Sequence, residues 1–559
     1  MVISTDVVLD RDTRVDGVII TPTGNLIFDP AKNVTLESTA NVVVRGRLTM
    51  RPGDHPVVHR LGFVGVDEER FVGGGMDVLD TDVGLWVMDD GVLDVAGSAK
   101  RAWVVAAGAI PAGTATILLQ QVPRGWRKGD EVVLTPTRSP TSEEHYAAYD
   151  SATIAAIDGR TVTPSQPTAF DHPAVDVGRG VVRTAEILNL TRNVRIEGAP
   201  EGRTHVLIHS SRLQRIRYVA IRHVGPRQQR GGQGESVGVL GRYGLHFHHC
   251  MDRSRGSVAR GVVVRDAGYH AFVPHMSNGV TFRECIAHAT QDDAFWWDIG
   301  DPTDDSLWKH CVASQTLVGD SKYNTAGFVL GTGSGSACVG SVAVGCQGLV
   351  SSSGFTWPSR GGTGVWRFED CVAHNNKANG IFVWQVDDPV HLIDRFVGYH
   401  HGGSGIRHGS YGNRYYYRDG IIYGCGDNGI SVEAVSKEPD GQGNVLTFEG
   451  MLVDQAGLSS YCLEVHQHVI PPKGVGRFVR CELRGATKAC IGYTNDGKAP
   501  DAYAAIDCVY DGNEFWLEDT IPATSFLRVR DQVHGSITLR RKDQPGHDVQ
   551  EWNASVSAG

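Results

Sequence analysis

The chain has 559 residues, 69 of them glycine, and a formal net charge of −10. That charge argues against a general nucleic-acid binder, and no stretch approaches the roughly 18 apolar residues that a membrane-spanning helix needs. The opening MVISTDVVLDRDTRVDG has neither a basic leader nor an apolar run, so no secretory signal peptide is expected.

Residues 1–175 show short β-type runs, DGVIITPTGNLIF, NVVVRGRLTM, TATILLQQV and GDEVVLTPT, each bounded by Gly, Pro, Asn or Asp. They predict an all-β N-terminal region. From 176 to 515 the texture changes to repeated short units such as GVTFRECIAHATQDDAFWWD, VWRFEDCVAHNNKANGIFVWQ and RDGIIYGCGDNGISVEA. Repetition every 22–30 residues or so with two or three short strands per unit predicts a solenoid. No leucine-rich or helical periodicity is present, so the expected fold is all-β, a right-handed parallel β-helix. Residues 516–559 read as a C-terminal cap and tail over the last rung.

Within YGLHFHH, Leu245 and Phe247 alternate with His246 and His248, so an inward apolar pair sends both histidines outward. Arg242 shares their parity. Aligning this strand with GIFVWQ, AFVPH, AFWWD, GISVE, CLEVH and VLIH places Trp384, His275, Asp298, Glu433, His466 and His209 in the slot of His248. Successive coils would then stack His248, His275 and Asp298, with His209 one rung earlier and His246 in the next column. Such a set can bind a divalent metal, Zn, Mn or Ni in preference to Ca, through His248, His275, Asp298 and His209 or His246. It can equally act as a metal-free acid–base relay.

Asp292 and Asp293 lie just before the Asp298 strand, where one carboxylate can raise the pKa of the other into the general-acid range. Trp296, Phe382 and Trp384 are predicted to project outward as an aromatic strip suited to stacking on sugar rings. A basic strip runs through Arg212, Arg215, Arg217, Arg222, Arg227 and Arg230, and Arg215 and Arg217 are candidate contacts for an acidic substrate. Eleven cysteines include no CxxC pair, and Cys285, Cys311, Cys371, Cys481 and Cys508 recur in one local frame. That frame predicts a ladder of buried thiols and neither a zinc ribbon nor a disulfide framework.

In order along the chain, DGVIITPTGNLIFDP, NVVVRGRLTM, LDVAGSAKRAW, GWRKGDEVVLTPT, AEILNLTRNVRIEG and GRYGLHFHHC resemble the G8 domain and following β-helix of one family. It is the hyaluronan-depolymerase family of cell migration-inducing hyaluronan-binding protein and transmembrane protein 2. The resemblance covers residues 5 to 300 or so. It implies a G8-like N-terminal domain and a hyaluronidase-type enzyme with Arg242, His246, His248 and His275 as its site histidines and arginine. Asp293 stands where the family has a histidine, Asp298 where it has a glutamate, and Gly244 where it has a proline.

The expectation is therefore a polysaccharide-degrading enzyme working in an outward groove, with Arg242, His246, His248, His275, Asp292, Asp293 and Asp298 catalytic. Hydrolysis by paired carboxylates and β-elimination by a histidine or arginine base both remain open. Two alternatives are a non-catalytic glycan-binding phage tail or adhesion protein and a pectate-lyase-like enzyme. The expected partner is a polysaccharide, without nucleic acid or membrane insertion, in a chain able to form a homotrimer. By resemblance and by analogy with phage tail spikes the expected location is extracellular or virion-associated.

Overall fold

The computed structural model describes the chain except residues 54–55, 231–234, 298–301, 358–364, 385, 410–412, 434–444, 468–474, 480, 488, 496–506, 512, 518–535, 542–549 and 554–559. It is a right-handed parallel β-helix built from three sheets, with one short strand per sheet in each coil. Sheet A begins at Val2–Ile3 and runs rung by rung through Leu85–Asp89, Val206–Ser210, Leu245–Met251, Phe272–Ser277 and Phe295–Trp296. Sheet B follows A in each coil and sheet C follows B, and both repeat the same parallel pairing. Among the described residues helix is limited to two short 3-10 turns, and no helix is long and apolar enough to cross a membrane.

Interior side chains stack in columns because equivalent residues of successive coils are in register. Leu245 pairs with Phe272, then Phe295, Phe328, Phe355 and Ile381 follow in the same slot. The four phenylalanines stack with ring centroids 4.7, 4.5 and 4.9 Å apart, matching the strand spacing of roughly 4.8 Å. Cys285, Cys311, Cys371 and Cys481 are buried free thiols. Each donates across one rung to a sheet B carbonyl, those of Ala259, Phe282, Cys338 and Phe448 respectively, at 3.3–3.5 Å. The side chain of Cys508 lies outside the described residues.

The corner from sheet B to sheet C uses one left-handed residue per coil: Tyr218, Gly261, Glu284, His310, Gly340, Asp370, Arg395, Asp419 and Gly450 all have φ between 52° and 63°. Six of these nine are Gly, Asp or His, residue types that take this conformation at least cost.

The division expected at 175/176 does not match the topology. Residues 2–96 already form coils of the parallel stack, and Val92–Ala96 of sheet B pairs directly with Arg215–Arg217. The antiparallel part is an insertion between them, a six-stranded sheet made of Trp103–Val105, Ile117–Leu118, Glu131–Leu134, Asp150–Asp158, Thr161–Pro164 and Glu186–Asn189. Short β runs look alike whether their partners are parallel or antiparallel, so composition could not separate the two. The inserted sheet covers the outer face of sheet C, where Val263, Ile286, Val312, Val342, Val372, Val397, Ile421 and Leu452 form an apolar ladder against Ala102, Val133, Val175 and Leu188. Most of the expected cap at 516–559 lies outside the described residues; Ser536–Arg541 pairs parallel with Asn513–Leu517 and antiparallel with Gln550–Asn553.

Candidate functional site

The alternation of the LHFHHCM strand puts Leu245 and Phe247 in the helix core and turns His246 and His248 onto the outer face of sheet A. His246 is in register with Leu207 before it and Val273 after it, and His248 with His275. The three imidazoles form a stack. Ring centroids of His246 and His248 are 4.6 Å apart, those of His248 and His275 5.0 Å, with planes within 18° of parallel. One ligand nitrogen from each lies within 4.8 Å of the others.

His246 donates its Nδ1–H to the carbonyl of Gly241 at 3.0 Å, which fixes the tautomer and leaves a lone pair on Nε2. That Nε2, and Nδ1 of His248, are buried and have no hydrogen-bond partner among the described residues. Burial, followed by the neighbouring imidazole of His248, holds His246 well below the usual histidine range. Burial, with His249 and His275 beside it, takes His248 down to about 3. Both rings are therefore neutral at pH 7. A neutral imidazole with a free lone pair is what a transition metal requires, whereas so depressed a group is a feeble general base. Bonds of about 2.1 Å imply nitrogens about 3.4 Å apart around a tetrahedral ion, a spacing that nitrogens within 4.8 Å of one another would reach by small ring movements.

Arg242 is not a groove residue. It is fully buried, its Nε donates to Asp82 at 2.8 Å and its Nη2 to the carbonyl of Gly74 at 2.8 Å, and its guanidinium lies over the Trp86 ring. Asp82 also accepts from the amides of Val72 and Gly73. The pair thus ties the 72–82 segment to the turn that leads into the histidine strand. Asp82 lies 160 positions away from Arg242, and nothing near LHFHH in the sequence announces it.

His209 donates Nδ1–H to the carbonyl of His248 at 2.9 Å and is not one of the three converging histidines. Asp298 lies outside the described residues, as do the side chains of Glu433 and His466. Asp292 and Asp293 occupy the turn from sheet C into sheet A. Burial pushes the Asp292 carboxyl up to about 6, although Asp292 accepts from the amide of Asp320 at 2.7 Å and has Arg227 4.0 Å away. Burial and the adjacent Asp292 carry Asp293 well above the usual carboxyl range, and its carboxyl accepts from Ala326 N at 2.8 Å. An aromatic layer separates these acids from the histidines: Tyr243 lies 4.7 Å from His246 and 5.2 Å from Tyr269.

Of the expected aromatic strip, Trp296 and Phe382 are buried, and His270 stacks on Trp296 at 3.9 Å. Only Trp384 keeps a substantial exposed surface, with Phe382 stacked 6.3 Å away. Arg215 and Arg217 are exposed but stand on sheet B, not on the histidine face. Strand parity separates inward from outward; it does not say which of three sheets a strand joins.

No family model matches the chain. A G8 domain-containing protein of Dictyostelium discoideum is 25% identical over 246 residues, which cover 42% of this chain and 20% of that protein. Human fibrocystin-L is 22% identical over 347 residues, 53% of this chain and 8% of its own. The chain thus spans at most a fifth of the curated relatives it matches. Among solved structures, the Gp54 tailspike of Acinetobacter baumannii bacteriophage AP22, in complex with capsular saccharide, aligns over 92% of this chain and 74% of its own at 10% identity and TM-score 0.26. The catalytic domain of a GH87 α-1,3-glucanase aligns over 72% of this chain and 91% of its own at 10% identity and TM-score 0.36. The receptor-binding tailspike of bacteriophage Det7 aligns over 98% and 75% at 12% identity and TM-score 0.24.

Proposed function

We propose that the protein is a polysaccharide-degrading enzyme of the hyaluronidase type whose centre is the His246–His248–His275 stack on sheet A, binding a divalent transition metal there. The observation that carries this reading is the convergence of three ligand nitrogens, two of them from neutral, depressed imidazoles with buried and unbonded ring nitrogens. Leaving such nitrogens dry and unpaired costs free energy on the order of 1–3 kcal/mol each, a cost that a bound ion removes. The resemblance of GRYGLHFHHC to the hyaluronan-depolymerase strand supports that substrate class. When bound, a metal of this type would polarise a glycan oxygen or a water.

Protein purified without a histidine tag should hold close to one equivalent of Zn, Mn or Ni, and chelation should abolish depolymerisation of hyaluronan, chondroitin or bacterial capsule. His248→Ala should lose both the metal and the activity. Less than about 0.1 equivalent of metal with unchanged activity in chelator removes the metal and leaves the relay. A product absorbing near roughly 232 nm would reassign the reaction to β-elimination. No product from any acidic glycan, with glycan binding retained in His248→Ala, would leave a binding protein only.

A further inference from the structure

Sheet B carries a second constellation, distinct from the histidines. Arg217, Arg260, Arg283 and Lys309 occupy one outward column on four successive rungs, each in register with the next. Ala96 precedes this run and Val339 follows it, so the cationic segment has defined ends about 14 Å apart. Glu284 is the carboxylate they share, 3.2 Å from Arg260 and 3.7 Å from Arg283. Arg217 and Lys309 have no ion-pair partner among the described residues. Like charges directly opposite on neighbouring strands destabilise a sheet. Four cations against one carboxylate, in a chain of net charge −10, therefore concentrate uncompensated positive potential along this strip.

The strip opens into a cleft. Where the inserted sheet meets the B–C corner, a cavity of about 360 Å³ is lined by Arg101, Trp103, Gln121, Arg283, Glu284 and His310. Arg283 belongs to both ladder and cleft. Trp103 is held by its Nε1–H, which donates to the carbonyl of His310 at 3.1 Å, so its ring is a fixed wall. Guanidinium groups recognise carboxylate or sulfate, and a fixed indole offers a stacking face to a pyranose ring.

We infer that the Arg217–Arg260–Arg283–Lys309 ladder and the adjoining Trp103 cleft form a binding site for an acidic polysaccharide, one bearing uronate or sulfate groups. The site is separate from the histidine stack and does not depend on its assignment. A duplex nucleic acid is disfavoured by the overall negative charge, which would repel a long polyanion beyond the strip itself.

The test is equilibrium binding of the full chain to polygalacturonate and to dextran sulfate at about 50 mM salt, where exposed charges are little screened. Neutral dextran and duplex DNA serve as comparators. The expected result is binding of an acidic polymer but not of neutral dextran, weakened at least about tenfold by Arg217→Glu combined with Lys309→Glu. Trp103→Ala should weaken it by a smaller factor, and His248→Ala should leave it unchanged. Retention within about twofold in the double charge reversal overturns the inference, since the column would then not hold the polymer. So do failure of both acidic polymers to bind better than neutral dextran, tighter binding of DNA than of either, and a loss in His248→Ala as large as in the reversal. Circular dichroism and a melting curve on each variant separate a lost site from a lost fold.

Discussion

Arg242 shows how a single residue changes meaning with its surroundings. Its outward parity suggested a substrate contact, yet its guanidinium is spent on Asp82, two backbone carbonyls and the Trp86 ring. Removing one partner of a buried pair strands the other charge, at a cost of about 3–5 kcal/mol. Arg242→Met should therefore lower the unfolding free energy by about that much in urea, while Asp82→Asn combined with Arg242→Met should recover part of the loss. A loss below about 1 kcal/mol would mean that the pair is not structural. Arg242→Lys should impair activity indirectly, because a lysine cannot serve Asp82 and the Gly74 carbonyl together in the same planar geometry.

At the scale of the element, one coil is too short to be stable alone, and its strands persist because like residues stack on like. Phe295 lies between Phe272 and Phe328 at 4.7 and 4.5 Å. Phe295→Ala would open a cavity that rigid neighbours above and below cannot close, and should cost about 3–5 kcal/mol. Because solenoid stability is a sum of nearest-neighbour terms, hydrogen exchange should rise most in the rungs around 272–356 and least in those near the N-terminus. Uniform loss of protection along the chain would contradict that picture.

For the whole molecule, the insertion decides much of the electrostatics as well as the shape. Closing the inserted sheet over sheet C encloses His145 and His400, and burial takes each down to about 4, while burial also holds His401 well below the usual histidine range. Their folded values lie below the unfolded value of 6.5, so the unfolded chain binds protons more readily at acid pH. Stability should accordingly be intact above about pH 6.5 and fall as the pH drops from there toward 4, each residue opposing folding by up to about 3 kcal/mol. Asp292, raised to about 6, and Asp293, raised well above the usual carboxyl range, work the other way, because their neutral forms become the favoured ones as pH falls. The histidines, which also include His205 and His270 at about 3, outnumber them. Melting temperatures measured from pH 8 to pH 4.5 should fall; a flat or rising profile would show that these rings are solvated.

The period of the repeats, the inward alternation of Leu245 and Phe247 and the frame of Cys285, Cys311, Cys371 and Cys481 were legible in the sequence. Each is a local pattern that every coil imposes on itself, and register between rungs follows once the patterns are stacked. That is why the repeat pattern alone sets His248 and His275 one above the other. What local pattern could not supply was which distant segment closes over a given face. Asp82 reaches Arg242 across 160 positions, and the sheet spanning residues 103–189 arises inside what read as one N-terminal region. Arg215 and Arg217 needed the three-sheet cross-section before they could be placed away from the histidines. Burial, and with it the neutrality of His246 and His248, is likewise a sum over neighbours remote in sequence, so only the tertiary structure decided that these imidazoles stay unprotonated at pH 7.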